Sequence, residues 1–442
     1  MDKDEALGKL IDLALRRGVE EAEAFYSEAE ETPVLFEANR LKQVTARQVA
    51  GVALRVVADG RLGAAASSHP QGLDELVEMA LESARYGPQA HLQFPPPQGY
   101  PDVPTYDPAV PSTTLEEMVR LGEGLIAAVR AEEEGLVCEA SVRRTVQEVM
   151  GLNSRGGRFR YRRTVFSVGL YGTLVRDTDM LFVGDAKTSC QPIREVMDIV
   201  EEVKRQLHWA RHTARVRTGE LPVVFTPLGV ASALMGPLTL AFSGRLVHQG
   251  QSPLAHLLGH KAYDPRLTIW DDPTLPYRPA SRICDDEGIP SRRLPLVEGG
   301  TVCHFLYDLQ TAGMAGAQPT GHGYRTPAGQ TSISPSCLVV EPGEGSLEEI
   351  IASLDEGLVV DQLMGAGQGN VMAGDFSGNV LLGYKIERGE VVGRVKDTVV
   401  AGNVHQLLKE RVLAIGGRPR WVGGGLLVPP IAFTALSVAA KS

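Results

Sequence analysis

The chain has 442 residues, of which 43% are apolar and 22% charged, and its net charge is −10. That length predicts two domains, each able to bury about 70% of its unfolded surface, and the apolar fraction excludes a disordered chain. The acidic balance repels phosphate backbones and argues against direct binding to nucleic acid.

Residues 4–17 (DEALGKLIDLALRR) put Leu7, Leu10, Ile11 and Ala14 on one face and predict a helix. Strand-like runs follow at 22–28, 32–37, 48–58 and 62–67, with Gly60 in ADGRLG as a hairpin signal. A helix over 73–86 closes the unit. The prolines of FPPPQGYPDVPTYDPAVPS, residues 94–112, predict an irregular surface connector. The plan then repeats. A helix is expected over 115–133, capped from Ser112, Thr113 and Thr114, then strands at 136–144, 145–153, 159–174 and 177–185, then a helix over 193–214. The basic run RGGRFRYRR, residues 155–163, predicts one solvated strand face.

After residue 219 the texture changes to short β-like runs rich in glycine, with hairpin turns at Glu298-Gly299-Gly300 and Glu387-Arg388-Gly389. The expected architecture is therefore α+β. An N-terminal domain, residues 1–219, carries helices on an antiparallel sheet built from two helix–strands–helix units. A β-rich domain, residues 220–442, follows. The apolar C-terminal tract is split by Pro429 and Pro430 and predicts burial in that domain rather than a membrane span. Cys138, Cys190, Cys284, Cys303 and Cys337 are far apart and odd in number, and the N-terminus is acidic. Both features predict a cytoplasmic protein without a disulfide framework.

Four places invite a chemical reading. In SPLAHLLGH, His256 and His260 have a spacing at which one helix face can offer two imidazoles to a metal. Leu257, however, stands where a metallopeptidase base would follow the first histidine. Ser252, Pro253 and Gly259 predict a short capped helix that ends before His260. With carboxylates such as Asp264 or Asp271, the pair remains the alternative metal site. GAGQGN, residues 365–370, has glycines at alternating positions, but a dinucleotide fingerprint needs a G-x-G-x-x-G turn leading into a helix, and residues 371–376 have no helical period, so the stretch predicts a loop. Asp271-Asp272 and Asp285-Asp286-Glu287 lie in turn-like contexts and predict carboxylates that cap local backbone. Cys303 and His304 are adjacent, which on a strand sends them to opposite faces.

The stretches AFSGRLVHQGQSPL, LTIWDDPTLP and ICDDEGIPSRRLPLVEGGTVCHFLYD resemble the C-terminal domain of the TldD/PmbA family. The most specific part is GDFSGNVLLGYKIERGE with AGN after it, and the N-terminal GVEEAEAFYSEAEETPVLFEANRLKQVTARQVAGVALRVVADGRLG is similar to the family's opening. The resemblance implies one of two branches. TldD-like chains carry an HExxxH zinc motif shortly before the FSG segment and are peptidases. PmbA/TldE-like chains lack it and pair with a TldD-like chain in a peptide-cleaving complex. The family is also linked by name to modulation of DNA gyrase. Residues 229–244 (GVASALMGPLTLAFSG) contain neither His nor Glu, so the resemblance implies the PmbA/TldE-like branch, with no catalytic residue and no metal in this chain. It implies a TldD-like subunit or a second copy as partner and a peptide as substrate. Gly374, Asp375, Phe376 and Ser377 would shape a loop near an inter-domain cleft.

Overall fold

The computed structural model describes residues 3–68, 72–176 and 179–441. Helix α1 (Lys3–Arg16) is followed by β1 (Glu21–Glu37), β2 (Arg40–Val44), β3 (Arg47–Ala58), β4 (Arg61–Ser67) and α2 (Leu73–Arg85). The two strands expected at 22–28 and 32–37 are one continuous strand. The Pro33 carbonyl accepts from the Thr45 amide, on the side where β1 changes partner from β3 to β2. The missing N–H of Pro33 falls in that gap, so the proline interrupts no ladder bond. Asp59 and Gly60, at φ 50° and 68°, make the two-residue turn between β3 and β4.

The connector is irregular except for the single turn α3 (Ala109–Ser112). Helix α4 (Leu115–Arg130) starts at a capping box between Thr114 and Glu117. Then come β5 (Val137–Asn153), β6 (Arg158–Arg176), β7 (Asp179–Ser189) and α5 (Met197–Trp209). Again two expected strands, at 136–144 and 145–153, are one. The last helix is shorter than the 193–214 expected, because the chain beyond it pairs with a distant strand. The Ala214 amide donates to the carbonyl of Arg394 at 2.8 Å. Of the strand expected at 177–185, residues 177 and 178 lie outside the described residues.

The sheet order is β4-β3-β1-β5-β6-β7, antiparallel throughout, with β2 on β1. Alternate side chains bury its two helix pairs on one face. Ala22, Ala24, Leu54 and Val56 pack with α1 and α2, and Val34, Phe36, Val142 and Val168 pack with α4 and α5. The opposite face, in the region of β1, β3, β5 and β6, is met among the described residues by the 280–336 loops rather than by a helix layer.

The second half continues with β8 (Gly219–Phe225), α6 (Pro227–Ala233), α7 (Met235–Ala241) and α8 (Gly244–His248). Next come β9 (Ile269–Asp271), β10 (Leu294–Glu298), β11 (Thr301–Val302), α9 (Leu309–Ala315), β12 (Gly323–Arg325), β13 (Thr331–Ile333) and β14 (Leu338–Val340). The chain ends with α10 (Leu347–Ala352), β15 (Glu356–Met364), β16 (Asp375–Glu387), β17 (Glu390–Arg394), β18 (Thr398–Asn403), α11 (Val404–Gln406), β19 (Val412–Ile415), β20 (Arg420–Val422), β21 (Leu426–Val428) and β22 (Ile431–Ala440). Both expected hairpins form, with left-handed residues at Gly299 and Gly300 and at Arg388 and Gly389.

The sheet β15-β8-β22-β18-β16 closes on itself, because β16 also pairs with β15. Its inner wall holds Leu221, Val223 and Phe225, and the Phe225 ring meets Phe376 and Phe433 edge-on at 6.2 and 6.0 Å. Val224, pointing the other way, joins Tyr384, Ile386 and the buried side of α5. The two halves of the chain thus share one apolar cluster. The apolar C-terminal tract is β21 and β22, and no described helix is long and apolar enough to cross a membrane.

Candidate functional site

Residues 253–256 form a turn and not the short helix expected there. The Ser252 hydroxyl accepts from the Leu254 amide and donates to the Ala241 carbonyl, which fixes the turn. Residues 258–261 then pair with β11, through Leu258 with Val302 and Lys261 with Thr301, with Gly259 at φ 75°. Long-range pairing has displaced helix here, and it leaves His256 and His260 both exposed. Asp264 is held by Arg266 at 2.8 Å, and Asp271 is fully buried against His322 at 2.7 Å. Among the described residues no group of three His, Cys, Asp or Glu side chains is placed to hold a metal ion. Cys303 donates to the Thr301 carbonyl and His304 meets the Pro295 carbonyl, so these neighbours share no site.

The acidic clusters do cap backbone, but across long distances. Asp285 accepts from the amides of Glu287, Ile289 and Gly323, and Asp286 from that of Arg325. Glu287 accepts from the Leu309 amide at 2.7 Å and from Arg55 on β3 at 2.6 Å. Arg55 also faces Glu23 on β1 at 3.1 Å, and Arg325 bonds Glu23 as well. All four of these side chains are at least 93% buried. Burial pushes the Glu287 carboxyl upward, and the guanidinium of Arg55 opposes it. This lattice locks the first sheet to the 285–331 segment.

Residues 229–244 form α6, α7 and the start of α8. Val230, Ala233, Leu234, Met235 and Leu238 are buried, and the exposed positions are Ser232, Gly236 and Leu240. No side chain on this helix pair bears an imidazole, thiol or carboxylate, so these residues do not fit a zinc ion.

Gly374, Asp375, Phe376 and Ser377 open β16 nearby. Gly374 has φ 94°, and a Cβ there would strike the ring of His405. Asp375 accepts from Asn403 at 2.8 Å, which also donates to the Ala373 carbonyl and caps α11. Phe376 enters the aromatic cluster, while Asp375 and Ser377 are exposed. The glycines of residues 365–370 shape the loop that returns to bridge Ser377.

His405 contacts the Tyr263 hydroxyl through Nδ1 at 2.8 Å, and its Nε2 is buried without a partner among the described residues. Burial lowers its pKa to about 4. The unfolded chain then takes up a proton near pH 6.5 that the folded state refuses. Stability contributed above pH 6.5 should therefore be lost as pH falls toward 4, by about 2–3 kcal/mol. Urea unfolding at a series of pH values should show this slope, and His405→Gln should flatten it.

The open face of the first sheet forms a cleft of about 830 Å³ against the 280–336 loops. Phe25, Val149 and Tyr161 contribute to its floor, and Arg163, Arg282 and Tyr324 to its walls. None of Gly374, Asp375, Phe376 and Ser377 lines it. Arg158, Arg160 and Arg162 are exposed as expected of a solvated strand face, but Arg163 is half-buried on the cleft. Composition hid this. Only strand register, with Tyr161 and Arg163 on one face, separates it from its neighbours.

Residues 218–440 match the PmbA/TldA metallopeptidase C-terminal domain, and residues 22–84 match the PmbA/TldA metallopeptidase domain 1. The chain belongs to the PmbA/TldD metallopeptidase family. The crystal structure of TldE from Thermococcus kodakarensis is similar to it, with a TM-score of 0.87 and 26% identity, covering 98% of this chain and 100% of that one. Metalloprotease PmbA of Escherichia coli O157:H7 is 26% identical over 92% of this chain and 90% of its own. The fold is shared with a Thermotoga maritima protein described as a candidate modulator of a DNA gyrase, at TM-score 0.87 and 23% identity over 99% of this chain and 100% of that one.

Proposed function

We propose that this PmbA/TldD-family chain is a TldE-like, non-catalytic subunit of a zinc metallopeptidase complex that cleaves small or unfolded peptides. The observation that carries this reading is the chemistry of α6 and α7. The segment where TldD-like chains place HExxxH offers only apolar, hydroxyl and glycine positions, and none of the ten histidines in the chain is followed by glutamate. A metallopeptidase needs both a ligand set and a base for the metal-bound water. The zinc and the base then belong to a TldD-like partner subunit, and this chain contributes interface area and one wall of a peptide-cleaving chamber formed with it. A homodimer is the competing assembly. The five cysteines are all unpaired, which supports a cytoplasmic location. A non-enzymatic binding role, of the kind the gyrase-modulator name suggests, is the reading left if no peptidase partner exists.

The alternative, a self-sufficient metallohydrolase at His256 and His260, makes a different prediction about metal. Protein purified without chelator should hold well under one zinc per chain, unchanged in His256→Ala. One zinc per chain, lost in that variant, would establish the alternative.

A further inference from the structure

The cleft carries cationic and hydrogen-bonding capacity that the fold does not use. Arg163 donates through its terminal nitrogens to two uncharged oxygens, Pro279 O at 2.7 Å and Gln147 Oε1 at 2.6 Å. Its Nε is buried with no partner among the described residues. Arg282, 93% buried, is bound through Nη2 to Gly321 O and Ser336 Oγ, again uncharged, and its Nε is also unpartnered. Neither guanidinium has a carboxylate within ion-pair distance among the described residues, whereas Arg55 and Arg325 beside them do. The Tyr161 hydroxyl, between these two arginines and Asp286, makes no hydrogen bond within the described chain. Buried donors without acceptors are rare in folded proteins and cost free energy unless something fills them.

Around these donors the cleft is mixed: Phe25 and Val149 on its floor and Tyr324 on a wall give apolar surface, beside polar groups such as Gln147 and Ser336. Asp285 and the cleft-lining Asp286 lie close to Arg282 and moderate its field; Asp285 is engaged at both oxygens by backbone amides and Asp286 at one. Arg163 carries no such counter-charge within ion-pair distance. The unused chemistry is therefore that of one anionic, planar acceptor attached to an apolar segment.

We infer that the cleft between the first sheet and the 280–336 loops binds a carboxylate-bearing peptide. Arg163 and Arg282 anchor the carboxylate, the Tyr161 hydroxyl donates to it, and the apolar walls take the adjoining side chains. The inference rests on the reading that the protein handles peptides, but it places a docking site in this subunit and away from any zinc. Its failure is therefore separable from failure of that reading, which is scored by metal content and cleavage.

The test uses fluorescence anisotropy on the isolated full chain. The probes are a fluorescein-labelled pentapeptide of alanine and leucine with a free C-terminus, its C-terminal amide, and the amide with one internal glutamate. The free acid should bind about tenfold or more tightly than the plain amide. If the glutamate-bearing amide binds as the free acid does, the carboxylate is a side chain; if it binds as the plain amide does, the carboxylate is the C-terminus. Tyr161→Phe removes only an oxygen without an internal partner, so its melting temperature should not change. Its affinity for the carboxylate-bearing peptide should fall about three- to tenfold. Arg163→Gln should weaken binding by about tenfold or more. No binding of any probe at about 1 mM, equal binding of both acids and the plain amide, or unchanged affinity in both variants would overturn the inference.

Discussion

Replacing Arg55 with methionine should cost about 3–5 kcal/mol of unfolding free energy, the expected price of stripping one partner from a buried ion pair. Arg55 is 97% buried between Glu23 and Glu287, which are themselves buried. Removing the guanidinium leaves Glu287 opposite only the Leu309 amide and leaves Glu23 with Arg325 alone. A typical domain is stable by about 5–15 kcal/mol, so the loss is a large fraction of the total. The sign with pH follows. In the variant the Glu287 carboxyl titrates above its unfolded value, so the folded state binds the extra proton. The deficit should shrink as pH falls toward that of the unfolded carboxylate and grow again as pH rises. Paired with Glu287→Gln, the double variant should lose less than the sum of the singles, because the stranded charge is gone. Denaturant unfolding across pH reads all three. A loss below about 1 kcal/mol in Arg55→Met would show the lattice to be solvated and unimportant.

The lattice shows what sequence alone conveys. The α+β class, the helix faces of α1, α2 and α4, and the three two-residue turns are local, and hydrophobic period and glycine torsions disclose them. The joining of two expected strands into β1, and again into β5, is not local. It depends on where Pro33 falls between β3 and β2, which only the register supplies. The shortened α5 and the missing helix at Pro253 fail for the same reason: pairing with residues far along the chain overrides a weak local preference. Asp285 reads as a turn carboxylate and is one, through the amides of Glu287 and Ile289, but Glu287 accepts from the Leu309 amide and from Arg55, 232 residues away, separations no pattern in the sequence marks. The cleft was equally hidden. Arg163 belongs to a basic run whose other arginines are solvated, and Arg282 has no sequence neighbour that advertises it. By contrast the lack of His and Glu in residues 229–244 is visible in the letters themselves, and α6 and α7 add that the exposed positions there are Ser232, Gly236 and Leu240.

The second large effect is on catalysis. The isolated chain should cleave no unstructured peptide above the uncatalysed background. Co-expressed with an HExxxH-bearing relative that binds it, it should copurify with that subunit and enter a complex that does cleave. Changing the glutamate of the partner's motif to glutamine should abolish cleavage, because the base for the metal-bound water is lost. His256→Ala or His260→Ala in this chain should leave the rate of the complex unchanged. The most direct measurement is peptide cleavage by this chain purified alone, with zinc added and then removed by chelator. No turnover is expected in either condition if this chain is the non-catalytic subunit. Zinc-dependent turnover by the isolated chain would contradict that reading.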